Sequence, residues 1–430
     1  MKAVRLSILL LFITLFASAQ SKTFDAFCSD FVDGYKALKM PDFDLSYLVN
    51  LQHAGTVEQI KKQQVFFEGI KNGLAAYDRA KLTPSQKIDY RLMAYEADMN
   101  LQRIGLELRW ENEPHDNLSA KGIINVPLGK EWYAYYLKRW VGDNVTPDQI
   151  YQFGLGEVKR VQAHIEAVRK QTGLSENAFY THLNDPSFFT SDTDEIKKAF
   201  EHIKAVVYGN LHNLFSITAV SDLQIKRGEA AALAQTPGYY TDNTFYYNLF
   251  DRPYNKRQYD WLFIHEGVPG HHYQNYIVAH TEVSNVQQMF FYIGFAEGWG
   301  AYTEELGKQL GVYQTPYDEM GKWQWDIVRA VRVPLDVAIN YYGWTNEQAL
   351  AFWKKNIRGQ DDIAMREIAR VRRWPAQAVT YKYGAVQILN WKEALIKKQG
   401  KNFNIKNFHD RILNHGSLPL FMVRDNVFKS

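Results

Sequence analysis

Trp261 to Tyr276 reads WLFIHEGVPGHHYQNY. His265 and Glu266 are neighbours, and His271 and His272 follow six and seven positions after His265. A His-Glu pair with a second histidine four positions after the first opens the HExxH motif. There two imidazoles hold zinc and the glutamate activates water. Six positions along an unbroken helix separate two imidazoles by about 9 Å, at about 1.5 Å per residue. Donors on one zinc stand only about 2.0–2.1 Å from the metal. A straight helix does not make such a site. The intervening residues offer a break, because Pro269 lacks the amide hydrogen that would bond the carbonyl of His265. Gly267 and Gly270 permit a bulge or a tight turn. Looping out two residues brings His271 to the place of the second histidine; His272 needs one more.

A catalytic zinc site takes a third protein ligand and keeps a position open. Downstream lies Phe295 to Leu306, FAEGWGAYTEEL, with Glu297 26 residues after His271. Phe291, Phe295, Trp299 and Tyr302 recur at helical steps. Glu297 sits among aromatic and small residues, where a free carboxylate is costly and a metal removes the cost. Glu304 and Glu305 read as surface charges.

HEGVPGHHYQ followed by EGWGAYTE resembles the bacterial family known as domain of unknown function 885 (DUF885). That family is assigned by its motifs to the HExxH-type, gluzincin-like zinc peptidases. The second motif is also similar to the NEGFA-type segment of aminopeptidases, whose glutamate is the third zinc ligand; the match implies that role for Glu297. The likeness continues in TFYYN (Thr244 to Asn248), RAVR (Arg329 to Arg332), GWTNEQA (Gly343 to Ala349) and WPAQAVTYKYG (Trp374 to Gly384). It departs at Asn340, where the family often has a histidine.

The start of the chain reads as a cleavable signal. Lys2 and Arg5 precede an apolar run from Leu6 to Phe16, and Ala17-Ser18-Ala19 is a small-residue cleavage site. The run is shorter than the roughly 20 residues of a membrane span. The expectation is a periplasmic or secreted protein beginning near Gln20, without stable membrane insertion. Losing Lys2 and Arg5 changes 50 basic against 47 acidic residues to 48 against 47. So nearly neutral a chain implies no nucleic-acid partner.

Residues 20–430 carry no linker, repeat or low-complexity tract. The reading is mainly α: one large multi-helical body, in one piece or two lobes around a catalytic cleft, with a small β element beside the metal site. Helices are expected over Val57 to Ala80, Pro84 to Glu111, Thr146 to about Gly173 and Asp192 to Phe215. Thr83-Pro84 and Thr146-Pro147 give a cap followed by proline at the first helical position. Between Leu223 and Leu249 the alternation and turn residues suggest short strands, with Asn248, Tyr239, Tyr246 and Tyr247 as rim candidates. A long helix from Tyr317 to Tyr342, kinked at Pro334, carries Arg329 and Arg332. Each could hold a substrate carboxylate or support a ligand from behind. In a further helix, Trp374 to Lys397, Tyr381 shares a face with Gln377 and Gly384, and the family match favours it over Tyr383.

The expected function is a secreted zinc hydrolase of peptide bonds. His265, His271 and Glu297 hold Zn2+, Glu266 activates the bound water, and His272 or Tyr381 donates to the oxyanion. Asn248, Arg329 and Arg332 are the substrate-binding candidates, and the partner is a peptide or small amide. The rival readings are a metal-dependent amidase or esterase, and a helical peptide-binding protein with a vestigial metal site. Retention of Glu266, whose role is purely chemical, argues against the last.

Overall fold

The computed structural model describes residues 22–113, 121–234 and 236–429. The expected signal segment, 1–19, lies outside the described residues. The fold is mainly α, as the periodicities imply. Thr56, Thr83 and Thr146 each accept the backbone N–H three residues on, and Gln59, Gln86 and Gln149 accept the threonine N–H in return. These reciprocal caps satisfy donors that a helix start otherwise orphans. They open the helices Val57–Leu74, Pro84–Trp110 and Pro147–Gln171. The first is shorter than its apolar period. Beyond Leu74 the Asp78 side chain accepts the N–H of Ala80 and diverts the chain into a single 3-10 turn, Arg79–Lys81. Asp192 caps the fourth, Thr193–Asn210.

The β element is a three-stranded sheet. Thr244–Tyr247 lies in the middle, parallel to Gln224–Arg227 and antiparallel to Gly238–Thr241. Asp242 and Asn243, both at positive φ, make the two-residue turn of the hairpin. Gly238 packs the edge strand on the helix Tyr259–Glu266, where a Cβ would stand 3.2 Å from Leu262.

The helix Pro316–Asn340 is buried along most of its length and serves two cores. Val333 and Val337 enter the larger one. Met320, Ile327 and Val331 enter a smaller one, shared with Pro147–Gln171, Asn346–Asn356 and Ala364–Arg373. Pro334 is inside this helix, and Gly154 backs onto its ring; a Cβ there would meet the ring at 2.5 Å. Asn340, the position that departs from the family pattern, is buried and donates to the carbonyl of Val371.

The helix expected from Trp374 is corrected. Ala364–Arg373 ends at Trp374, and Val379–Gln399 begins five residues later. Ala376 sits between them at positive φ and gives its N–H to the buried carboxylate of Asp336 at 2.8 Å. That left-handed residue cannot continue a helix, so Gln377 belongs to the turn and Tyr381 to the first turn of the new helix.

Candidate metal centre

The helix Tyr259–Glu266, buried from Trp261 to His265, stops at Glu266. The chain turns through a cis Val268–Pro269 bond and restarts as His271–His280. Gly270 closes the turn so tightly that a Cβ would lie 1.9 Å from the His265 carbonyl oxygen. The break supplies what the spacing required. The rings of His265 and His271 stand 4.8 Å apart at 83°.

Glu297 reaches them from the helix Ile293–Thr303. Phe291, expected on the apolar face of that helix, precedes it and is exposed. The Oε2 of Glu297 is 3.5 Å from His265 Nε2 and 3.4 Å from His271 Nε2. All three ligand atoms lie within 4.8 Å of one another. Two donors on a tetrahedral zinc stand about 3.3–3.4 Å apart, given bonds of about 2.0–2.1 Å. The two separations from Glu297 are close to that edge and exceed ordinary hydrogen bonds. Two imidazoles and a carboxylate are also a donor set that zinc accepts, so the residues fit the ion.

Behind the ligands stands Glu304, 1% exposed, which corrects its reading as a surface charge. Its Oε1 is 2.8 Å from His265 Nδ1, and both its oxygens accept from Arg329 Nη1, at 2.6 and 2.7 Å. A carboxylate on Nδ1 fixes the tautomer and aims Nε2 toward Glu297. The available signal was spacing: Glu304 follows Glu297 by seven residues, two helical turns, on the same face. Glu305, also read as surface, is partly buried and pairs with Lys322 at 2.6 Å. Gly300 leaves room for the imidazole of His265, since a Cβ there would lie 2.8 Å from the ring.

The carboxylates around the two histidines favour positive charge here. Burial opposes charging His265, but Glu297 and Glu304 outweigh it and raise the imidazole to about 9. Burial also opposes ionisation of Glu297, yet the two histidines hold it well below the usual carboxylate range. Glu266 is shifted upward, chiefly by burial, and lies within electrostatic range of His265, His271, Glu297 and Arg329. Glu266, His271, Glu297 and Tyr381 are each partly open in otherwise buried surroundings.

The ring of Tyr381 lies 6.4 Å from that of His265. Its hydroxyl oxygen accepts from Arg370 Nη2 and Gln377 Nε2, each at 3.1 Å. With its acceptor capacity used by two donors, the hydroxyl keeps its own proton to give. Arg370 had no signal in the sequence, because the break at Ala376 brings it beside Tyr381. Gly298 and Gly384 let the Glu297 and Tyr381 helices meet backbone to backbone; a Cβ on Gly298 would lie 2.6 Å from Gly384 Cα.

The four remaining expected site residues are not part of the ligand group, and Arg329 stands behind it in the supporting role that the sequence also allowed. His272 faces the sheet: its Nε2 is 2.8 Å from the Ser221 carbonyl and its Nδ1 is 3.2 Å from the Tyr240 hydroxyl. One residue after His271 its side chain turns about 100° away, so it is neither ligand nor oxyanion donor. Asn248 donates to the carbonyls of Leu233 and Thr236 and ties down its own loop. Arg329 is bound to Glu304, and Arg332 to the buried Glu367. Both guanidiniums are committed to protein carboxylates.

The fold resembles two solved structures. One is a candidate lipoprotein from Colwellia psychrerythraea, with TM-score 0.67 and 23% identity, over 94% of this chain and 73% of that one. The other is a candidate lipoprotein of unknown function from Shewanella oneidensis, with TM-score 0.58 and 20% identity, over 94% and 77%. At these identities the likeness concerns the fold. No curated protein matches. The family expected from the motifs is matched over residues 101–427, and the chain belongs to it: DUF885, a bacterial protein of unknown function.

Proposed function

We propose that this protein is an exported zinc-dependent peptidase. The observation that carries the reading is the approach of His265 Nε2 and His271 Nε2 to one oxygen of Glu297, at 3.5 and 3.4 Å, with Glu304 behind His265. A zinc ion held there supplies Lewis acidity toward a carbonyl oxygen and lowers the pKa of water toward about 7. Glu266, adjoining the ligands, takes the proton of the attacking water and passes it to the leaving amine nitrogen. Tyr381, its oxygen held by Arg370 and Gln377, gives its proton as a hydrogen bond to the carbonyl oxygen as charge develops there. Arg329 and Glu304 keep His265 oriented throughout. Export is supported by the Lys2/Arg5, apolar and Ala-Ser-Ala pattern at the start. The two similar folds described as candidate lipoproteins agree with it. Among the described residues, no helix is long and apolar enough to cross a membrane.

The test is metal analysis of the purified protein beside hydrolysis of a mixed peptide library. Zinc should bind one to one in the wild type and be lost in His265→Ala, His271→Ala and Glu297→Ala. His272→Ala should keep it. Full zinc in His271→Ala, or no zinc and no cleavage in the wild type, overturns the reading.

Tyr381→Phe removes one hydroxyl and leaves the ring packing. Zinc content should stay the same while turnover falls by about 10²–10³, the usual cost of one oxyanion donor. Equal rates in the two proteins would return Tyr381 to packing alone.

A further inference from the structure

The sequence pointed to Arg329 and Arg332 as holders of a substrate carboxylate, and both are already paired with glutamates. A different arginine fits that role. Arg257 is 4% exposed, and among the described residues no carboxylate pairs with it. Its Nε donates to the neutral amide of Gln324 at 3.1 Å, its guanidinium lies 4.7 Å from the ring centre of Phe188, and its Nη1 is buried without a hydrogen-bond partner. Burial without a counter-charge pulls its pKa down to about 10. An uncompensated buried charge is expensive, and a protein keeps one where something else supplies the partner.

Arg257 lines a cavity of about 620 Å³, within the range of small-molecule sites. Trp261 and Tyr254 line it too, and the Trp261 indole N–H and the Tyr254 hydroxyl are likewise buried without partners. Of the other charged lining residues, Arg252 and Asp362 pair with each other and Arg366 pairs with Glu367. Asp251 is exposed. Arg257 is the cation left facing the interior.

The cavity lies at the start of the helix that carries His265, with Gln258 and Trp261 in its lining. Arg257 stands in the 3-10 turn Lys256–Gln258 that leads into that helix, and Trp261 and His265, four apart within it, share a face. Tyr254 lies within electrostatic range of Glu266. Two steps of 3-10 turn at about 2.0 Å and six of α-helix at about 1.5 Å put Arg257 about 13 Å along the chain axis from His265. An extended peptide covers that in about three to four residues, at about 3.3–3.6 Å per residue.

We propose that Arg257 is the carboxylate-binding residue of this cavity, and that the substrates carry a carboxylate about three to four residues from the bond cut. This rests on the peptidase reading for the identity of the ligand. The carboxylate is a chain terminus or an Asp or Glu side chain.

The experiment uses N-acetylated peptides of three to six residues in matched sets. One set compares a free C-terminus with a carboxamide, the other an internal Glu with Gln. Cleavage is followed as kcat/KM and binding by calorimetry, with the zinc-loaded wild type, Arg257→Gln and Arg257→Lys. A charged hydrogen-bonded contact separates the carboxylate form from its neutral twin by about 10- to 100-fold. That preference should appear in one set, which identifies the source. It should fall toward unity in Arg257→Gln and recover in part in Arg257→Lys. Wild type that treats both members of every pair alike overturns the proposal while leaving the peptidase reading standing. So does an undiminished preference in folded Arg257→Gln. Carboxylate-dependent binding without cleavage supports the carboxylate site and overturns the peptidase reading. Because the wild-type comparison needs no variant, a failure of Arg257→Gln to fold leaves the test intact.

Discussion

Glu266→Gln should abolish most hydrolysis while leaving the zinc in place. The substitution keeps the size of the side chain and removes its capacity to take a proton at neutral pH. Glu266 is not one of the three groups that converge on the metal position; those are His265, His271 and Glu297. On the proposed reading its part is with the water, and positioned acid–base groups of this kind contribute about 10²–10⁴ to rate. Peptide binding should survive, because a carboxylate close to the substrate carbonyl has been neutralised. Two assays on wild type and variant decide the matter: zinc content, then cleavage of a peptide that the wild type cuts. Equal cleavage would remove Glu266 from the chemistry. A wild type that binds peptides and cuts none would favour a protein whose metal motif is vestigial.

Glu304→Ala should damage both stability and metal binding, through two separate losses. Arg329 is left buried without the carboxylate that takes both bonds from its Nη1. Breaking a buried pair from one side costs about 3–5 kcal/mol. His265 also loses the acceptor on Nδ1 that fixes its tautomer, and such partners are worth about 10- to 100-fold in metal affinity. Denaturant unfolding should report the first effect and chelator competition the second. Glu304→Gln keeps the volume and one acceptor oxygen, and should lose less on both counts. If folded Glu304→Ala binds zinc as tightly as wild type, the orientation of His265 is secured by something else.

The approach of His265 and His271 was legible because it is local chemistry. His-Glu, Pro-Gly and a second histidine within seven residues dictate a broken helix, and the break is where Gly267 to Gly270 place it. Helix starts were legible for the same reason: a threonine three residues before a glutamine closes on itself. What the sequence hid were partners brought from afar. Arg329 and Arg332 look like free cations along one helix, and only the packing shows Glu304 and Glu367 taking them up. His272 was indistinguishable from His271 by type, and the 100° turn between successive helical residues separates them. Arg257 was the converse case. Nothing around it in sequence marks it as unpaired; the absence of a neighbouring carboxylate is a property of the fold.

The contact between Gly298 and Gly384 has a consequence for how this cleft can change through descent. No side chain intervenes where these two helices cross, so point mutation has no spacer to trim or lengthen on that side. Any residue larger than glycine drives the Glu297 ligand and the Tyr381 hydroxyl apart together. The cavity around Arg257, by contrast, is lined by side chains that can be exchanged one at a time. Substitutions that reshape that cavity should therefore be tolerated more readily than any at the crossing.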